Sequence, residues 1–90
     1  KRIFLAIKGV KMKNYIPLHQ LSLGSRARIK NLALSGQLRS RMLDLGFIND
    51  TVVEALYCSP WGDPCAYQAR GTIIALRHEV AGQIWVDQFS

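Results

Sequence analysis

The sequence feature that most constrains the fold is the stretch between Cys58 and Cys65, which reads Ser-Pro-Trp-Gly-Asp-Pro. Its two prolines fix φ and cannot donate to a strand ladder, and its glycine can adopt a positive φ. This composition between two apolar runs is typical of a hairpin turn. Counting outward from Trp61 and Gly62 places the two cysteines directly opposite each other across two antiparallel strands.

Period-two alternation and turn residues predict five strands along the chain. They cover residues 26–32, 51–59, 65–70, 72–76 and 84–88. The alternation changes sides within the second of these strands, so we expect a bulge or sharp bend near residues 55–56. A lead-in over residues 15–24, punctuated by proline and containing one helical turn, precedes the first strand.

Two helical segments are predicted between the strands. The longer one opens at Ser35 and ends at Leu45, with Leu38, Met42 and Leu45 on the side that faces the core. The shorter one is a single turn over residues 77–81. Short strands, close turns and these insertions predict a mainly β fold, a small and highly bent antiparallel barrel in one domain.

The net charge of +6 lies mostly outside the body of the chain. Residues 1–13 hold 5 of the 12 basic residues and no acid, which leaves 7 basic against 6 acidic residues from Asn14 onward. Nucleic-acid binders carry their positive charge on the folded surface that meets the phosphates. We therefore expect no nucleic-acid partner. No apolar run approaches the roughly 18 residues of a membrane-spanning helix, so direct membrane insertion is not expected either.

Residues 1–11 are expected to lie outside the domain, which then covers residues 12–90. Met12 followed by Lys13 would make a natural start, so the preceding residues are interpreted as upstream or cloning-derived sequence. A second interpretation is left open, because lysines interleaved with apolar residues also suit a short amphipathic segment that touches a membrane surface.

Catalytic constellations are absent from the sequence. The acids are scattered, the glycines stand singly instead of forming a phosphate-binding loop, and His19 and His78 are expected at opposite ends of the body. No spacing argument brings a nucleophile, a base and an orienting group together. We therefore expect a protein that is not an enzyme and requires no cofactor.

Cys58 and Cys65 form the one chemically reactive pair. Opposed positions across a ladder place Cα atoms about 4.5–5.5 Å apart, which suits a disulfide and equally two ligands of one metal ion. Only His19 and His78 remain to complete a tetrahedral site within one chain. The preferred interpretation is two packed apolar side chains. A disulfide, and a metal site that holds adventitious or regulatory Zn or Fe(II), are the alternatives.

Two surface features suggest a partner. Trp61 stands between Pro60 and Gly62 at the tip of the hairpin, where exposed aromatics are typical interface anchors; the alternative is a lid that lies flat over the end of the barrel. Arg39 and Arg41 lie toward the N-terminal end of the helix, against its macrodipole. Ordinary solvated charges are the preferred interpretation of this pair, and a partner-facing role is the alternative.

Four sequence blocks occur in order along the chain, at residues 38–47, 51–55, 59–64 and 74–86. The first reads Leu-Arg-Ser-Arg-Met-Leu-Asp-Leu-Gly-Phe, and the third is the Ser-Pro-Trp-Gly-Asp-Pro turn. Together they closely resemble the FeoA family of ferrous iron transport accessory proteins, over residues 15–88. The resemblance implies an SH3-like β-barrel with an inserted α-helix, a cytoplasmic location, and a role as small partner of FeoB, the membrane GTP-binding ferrous iron transporter.

By the same resemblance, the candidate partner-binding residues lie in the helix, in the junction after it and in the hairpin loop. They are Arg39, Arg41, Leu45, Gly46, Phe47, Pro60, Trp61, Gly62, Asp63 and Pro64. The chain departs from the family pattern in two ways. It has Trp61 where the family commonly shows an aliphatic residue, and its paired cysteines are not part of the pattern.

The leading hypothesis is a non-enzymatic accessory protein that binds the cytoplasmic GTPase region of FeoB, modulates iron uptake, and meets the inner face of the cell membrane through that partner. One alternative is a metal-binding or metal-sensing small barrel that uses Cys58 and Cys65. Another is an SH3-like regulatory module related to the C-terminal domain of iron-dependent repressors. A homodimer formed through an open strand edge is left open for each of them.

Overall fold

The structure is a computed structural model that describes residues 5–7, 10–12 and 15–89. Its strands are β1 (Leu5–Ile7), β2 (Val10–Met12), β3 (Ile16–Pro17), β4 (Arg26–Leu32), β5 (Val52–Cys58), β6 (Cys65–Ala69), β7 (Thr72–Leu76) and β8 (Ile84–Gln88). Its helices are α1 (Gly36–Asp44) and α2 (His78–Ala81), and a 3₁₀ turn covers Leu18–Gln20. The helical turn predicted in the lead-in is this 3₁₀ turn.

Six strands form one antiparallel sheet in the order β3-β8-β4-β5-β6-β7. The five strands predicted from alternation are all present in it, so the mainly β fold is confirmed. The sixth strand, β3, has two residues and pairs with β8, with Ile16 opposite Val86. Because two residues are too few to show alternation, the sequence pattern did not predict it.

The sheet bends because two of its ladders contain register shifts. One lies between β4 and β8, at Ile29 and Asn31, and the other lies in β5 between Ala55 and Tyr57. An extra residue on one strand increases the local twist and lets the strand turn. The bulge predicted near residues 55–56 is confirmed. Beyond it β5 changes sides, since Ala55 is buried and Tyr57 is exposed.

The core is filled by side chains from the six-stranded sheet, the 3₁₀ turn, α1 and the segment after it. Its largest fully buried members are Tyr67, Phe47, Leu18, Ile29, Met42, Ile84, Val53 and Val86. In β4 the buried Ala27 and Ile29 alternate with the exposed Arg26 and Arg28, as the period-two pattern predicted. Because the face of β4 that carries Ala27 and Ile29 packs in the core, the face that carries Arg26 and Arg28 points outward.

Helix α1 contacts the core through its C-terminal half. Met42 is buried and Leu45 is partly buried against the core, whereas Leu38 is 40 % exposed. The prediction that Leu38 faces the core is therefore wrong. Every residue from 35 to 41 is exposed, so the first turns of the helix project from the body. The helix ends at Asp44, one residue before the predicted Leu45, and Gly46 occupies the predicted left-handed position after it with a φ of 97°.

β1 and β2 form a separate two-stranded antiparallel sheet. β2 runs across the domain boundary expected between residues 11 and 12, while residues 1–4 and 8–9 of this flank lie outside the described residues. The division into residues 1–11 and 12–90 stays a prediction. Among the helices of the described ranges, none has the length and apolar character needed to cross a membrane.

Candidate functional site

The loop between β5 and β6 is held in one shape by its own hydrogen bonds. The Ser59 amide donates to the Pro64 carbonyl at 2.9 Å, and the Gly62 amide donates to the Ser59 carbonyl at 2.8 Å. The Ser59 hydroxyl donates to the Asp63 carbonyl at 2.8 Å. Gly62 adopts a φ of 87°, and the Asp63-Pro64 peptide bond is cis. The loop therefore presents its tip residue, Trp61, on a well-braced support.

Trp61 is the most exposed large apolar side chain among the described residues, at 89 %. At this exposure the indole does not cover the end of the sheet, so the interpretation of Trp61 as a lid is wrong. Its role as an interface anchor stays a prediction. Pro60 beside it is also exposed, whereas Pro64 at the base of the loop is half-buried.

Exposed apolar side chains also lie on the outer face of β5, β6 and β7. Tyr57 stands opposite Ala66, which stands opposite Ala75 in β7, so these three positions share one face. Ile73 lies on the same face, two residues before Ala75. Tyr57 and Ile73 are 61 % and 53 % exposed. Ala66 between them is itself buried, so we call the exposed Tyr57, Ile73 and Ala75 the outer apolar face.

Sequence reasoning missed the outer apolar face. The sequence pattern predicts the bulge in β5, and the bulge turns Tyr57 to the outer face of the sheet. A strand that inserts one residue turns its later side chains to the other face, which here points outward. The signal was therefore available in the position of the bulge.

The second group of predicted site residues surrounds the end of α1. Arg39 and Arg41 are exposed, and the Arg39 guanidinium donates to the Leu32 carbonyl at 3.4 Å. A Cβ atom on Gly46 would lie 2.9 Å from Cδ of Arg70, so the corner after the helix packs closely against that side chain. We call Arg39, Arg41 and Gly46 the helix corner.

Phe47 differs from the other predicted site residues because it is fully buried. A partner cannot contact its ring without opening the core. Its amide donates to the Met42 carbonyl at 3.0 Å, which ties the segment after α1 back to the helix. The sequence prediction that Phe47 contacts a partner is therefore corrected, because its ring lies in the core. Leu45 is half-buried against the core, so only part of its side chain is accessible to a partner.

The structure separates the two groups of site residues. The loop with Trp61 precedes Cys65 at the start of β6, whereas Arg70, which contacts Gly46, follows the last residue of β6. Five residues of extended chain cover roughly 16 Å. The loop and Gly46 therefore lie at opposite ends of one strand, whereas Arg39 lies beside the Leu32 carbonyl at the end of β4.

Cys58 and Cys65 stand opposite each other in the ladder, as predicted, and a disulfide joins them. The disulfide is one of the alternatives given by the sequence. The preferred interpretation of two packed apolar side chains is therefore wrong. Sγ of Cys65 lies 3.7 Å from Nε2 of His78. Oδ1 of Asp63 accepts a hydrogen bond of 3.1 Å from the His78 amide, which ties the hairpin loop to the start of α2.

His19 lies beside His78, with their ring centroids 5.3 Å apart. The expectation that the two histidines lie at opposite ends of the body is wrong, because the 3₁₀ turn that carries His19 packs against α2. Burial, and secondly the proximity of His78, lower the pKa of His19 below its ordinary value. Nδ1 of His19 is buried, and none of the residues that the structure describes forms a hydrogen bond with it.

A sequence model of the FeoA domain matches residues 16–88. The chain belongs to the FeoA domain family. A relative in Porphyromonas gingivalis, an Fe(2+) transport protein A/Fe(2+) transporter FeoB fusion protein, is 32 % identical over 73 residues. This match covers 81 % of the present chain but only 9 % of the fusion protein. The resemblance to the FeoA family found in the sequence is confirmed.

Two solved FeoA structures share the fold. Iron(II) transport protein A from Clostridium thermocellum is 33 % identical with a TM-score of 0.76, over 81 % of this chain and 45 % of that one. FeoA from Stenotrophomonas maltophilia, described as a procaryotic SH3 domain protein complexed with zinc, is 28 % identical with a TM-score of 0.66, over 78 % of this chain and 87 % of that one. The predicted SH3-like fold is confirmed.

The FeoA barrel also resembles part of a manganese-dependent transcriptional repressor. The identity is 16 % and the TM-score is 0.77, over 90 % of this chain and 40 % of the repressor. At this level of identity the likeness shows the fold alone. It does not favour a repressor-like regulatory role for this FeoA chain over a role in transport.

Proposed function

We propose that this chain is a non-enzymatic accessory protein of ferrous iron uptake, which binds the cytoplasmic GTPase region of an FeoB-type transporter and modulates transport. The observation that carries the proposal is the relative in which an FeoA part and an FeoB part are joined in one polypeptide. Joining two modules gives each a high effective concentration for the other, which favours their contact. In this role the chain works in the cytoplasm and reaches the inner face of the membrane through its partner.

The docking surface that we propose is formed by Trp61 and the outer apolar face. A few buried aromatic side chains usually carry most of the binding energy of an interface. Trp61 is exposed on a loop that three internal hydrogen bonds already brace, so the loop loses little freedom when a partner covers it. Tyr57 and Ile73 extend the apolar area along the sheet.

The helix corner is proposed as a second contact with the same partner. A standard interface of about 800 Å² per partner is roughly 30 Å across. The separation of roughly 16 Å between the two ends of β6 is smaller than this, so one partner can cover both the loop and Gly46. Arg39 and Arg41 would then supply charge at the rim, where charges chiefly influence the association rate. Phe47 supports this corner from beneath.

Titration calorimetry between the 90-residue chain and the purified GTPase region of an FeoB-type transporter tests the proposal. The titration is repeated without nucleotide, with GDP and with a GTP analogue. We expect binding in at least one of these states. Trp61→Ala should weaken it at least about 30-fold, which corresponds to the 2 kcal/mol that defines a hot spot.

Phe89→Ala is the matched control for Trp61→Ala. Phe89 is also an exposed aromatic, but its ring lies beside the guanidinium groups of Arg26 and Arg28, away from the proposed surface. This variant should keep the affinity within about twofold. If binding survives Trp61→Ala but is lost in Arg39→Ala and Arg41→Ala, the partner is supported and the docking surface moves to the helix corner.

A parallel measurement of ferrous iron uptake completes the test. Cells in which the gene for this chain is deleted should take up ferrous iron at a rate different from that of the wild type, either lower or higher. Trp61→Ala should reproduce part of that difference. An absence of binding in all three nucleotide states, together with unchanged uptake after deletion, would contradict the proposal.

A further inference from the structure

Four side chains able to bind a transition metal are linked in a row where the hairpin meets α2: a disulfide joins Cys58 to Cys65, Sγ of Cys65 lies 3.7 Å from Nε2 of His78, and the His78 ring lies beside that of His19. Cys58 ends β5, Cys65 begins β6, His78 begins α2, and His19 belongs to the 3₁₀ turn. While the disulfide is closed, no three or more His, Cys, Asp or Glu side chains in the described part of the chain are arranged to hold a metal ion. Breaking the disulfide would turn two of these four side chains into thiol ligands.

The separation of Cys65 and His78 already suits two ligands of one metal ion. A tetrahedral Zn²⁺ site has Zn–S bonds of about 2.3 Å and Zn–N bonds of about 2.0–2.1 Å, which places its sulfur and nitrogen ligands roughly 3.6 Å apart. The observed separation between Sγ of Cys65 and Nε2 of His78 is 3.7 Å. Neither group would have to travel far to accept the ion.

The two histidine rings also match this geometry. Two imidazoles bound to one tetrahedral ion have their centroids roughly 5 Å apart, and the centroids of His19 and His78 are 5.3 Å apart. Nδ1 of His19 lies against Gly82, where an added Cβ atom would be 3.4 Å from it, and it has no hydrogen-bond partner among the described residues. The amide of His78 is held by the Asp63 carboxylate of the hairpin loop, so the loop and α2 keep their relative position.

We propose that Cys58, Cys65, His78 and His19 form a redox-gated site for a divalent transition-metal ion that accepts mixed thiolate and imidazole ligands, closed as a disulfide and open to the metal after reduction. Two cysteines and two histidines are a common ligand set for tetrahedral Zn²⁺. This inference stands independently of the proposed binding to an FeoB-type transporter.

The gating step balances with a dithiol reductant of the thioredoxin class. A thiolate of the reductant attacks one sulfur of the Cys58–Cys65 bond, which breaks, and a mixed disulfide forms. The second thiol of the reductant then displaces the protein sulfur, so two electrons pass to the protein and the reductant leaves as a disulfide. The two cysteines take up two protons, and they release them to solvent when the metal binds as a thiolate complex.

Zinc binding to the oxidised and to the reduced chain tests the proposal directly. Reduction with a phosphine avoids a competing thiol ligand, and a chromophoric chelator reports the affinity. We expect one Zn²⁺ per reduced chain and none at the same concentrations for the oxidised chain. Co²⁺ as a spectroscopic probe should give the visible absorption of a four-coordinate ion and a thiolate charge-transfer band in the reduced chain only.

Single-ligand variants identify the site. Cys58→Ser and Cys65→Ser should each weaken Zn²⁺ binding by roughly 100-fold or more, since four ligands share the affinity of a structural zinc site. His78→Gln and His19→Gln should also weaken it and should shift the Co²⁺ absorption. Asp44→Asn is the matched control, because it removes a carboxylate at the exposed end of α1 and should leave the affinity unchanged.

Thermal unfolding of the reduced chains distinguishes variants that have lost the metal site from variants that fail to fold. Added Zn²⁺ should raise the midpoint of the reduced wild type and of Asp44→Asn, but not that of His78→Gln, which retains both cysteines. Equal Zn²⁺ affinity of the oxidised and reduced chains would overturn the proposal. Unchanged affinity in both cysteine variants, or in both histidine variants, would overturn it as well and would identify an adventitious ion elsewhere.

Discussion

The imidazole rings of His19 and His78 lie with their centroids 5.3 Å apart, although one residue belongs to the 3₁₀ turn and the other opens the last helix. The contact depends on the pairing of β3 with β8 and on the packing of the 3₁₀ turn against α2. Burial, followed by the charge that His78 can carry, lowers the pKa of His19. This relationship has consequences for stability as well as for metal binding.

Stability should depend on pH through His19. Its pKa in the folded chain lies below the ordinary value of 6.5, so the unfolded chain takes up a proton first as the pH falls. The contribution of His19 to stability is therefore complete above pH 6.5 and is lost as the pH falls through that value toward the folded pKa. Urea unfolding should show a free energy that decreases on acidification, and His19→Gln should show a smaller decrease. An identical pH dependence in the two chains would exclude His19 as the cause.

Reduction of the disulfide should destabilise the chain. Cys58 and Cys65 close a short loop, for which the chain-entropy relation gives a contribution of about 2–3 kcal/mol to the free energy of unfolding. Urea unfolding with and without a phosphine measures this difference. The Cys58→Ser, Cys65→Ser double variant is the control, since the reductant should leave its unfolding curve unchanged. A wild-type curve that does not move on reduction would show that the loop is ordered without the cross-link.

Gly46→Ala should destabilise the domain through backbone strain and close packing. A φ of 97° is unfavourable for an L-residue, at a cost of about 1–2 kcal/mol. The new Cβ would also lie 2.9 Å from Cδ of Arg70, which must move. Gly24→Ala is the matched control, because Gly24 has a φ of 86° and its Cβ would meet nothing within 4 Å.

The two glycine variants are compared in the wild-type chain and in an Arg70→Ala background. Gly46→Ala should cost more than Gly24→Ala in the wild-type chain, and the excess should disappear when the Arg70 side chain is removed. An excess that persists in the Arg70→Ala background would assign the effect to the backbone alone.

Phe47→Ala should act on stability and not selectively on partner binding. The ring is fully buried, and removal of a buried phenylalanine usually costs about 3–5 kcal/mol. Phe89→Ala, which truncates a half-exposed ring, should cost less than about 1 kcal/mol. Circular dichroism during urea unfolding provides both values. A Phe47→Ala chain with wild-type stability and impaired partner binding would restore Phe47 as a contact residue.

The local sequence is sufficient to predict those strands that are long enough for the period-two alternation to repeat. β4, β7 and β8 have the bounds that the pattern predicted, because burial of one face imposes a period of two along the strand. The bulge in β5 was also predictable, since its two halves imply opposite inward faces. Two-residue β3 lay below what alternation can detect. Helical periodicity predicts Leu38 on the core side because it indicates which face of a helix is apolar, but it does not indicate how much of the helix reaches the body.

The hairpin from Cys58 to Cys65 follows from its own residues: the prolines and glycine of the turn set the register, and the register places one cysteine opposite the other. The surroundings of that pair do not follow from it. His78 lies beside the disulfide, and His19 lies beside His78, only because distant segments of the chain pair as β3 and β8 and pack as turn and helix. Turn chemistry acts over a few residues, whereas contacts between distant segments depend on how the sheet closes around its core.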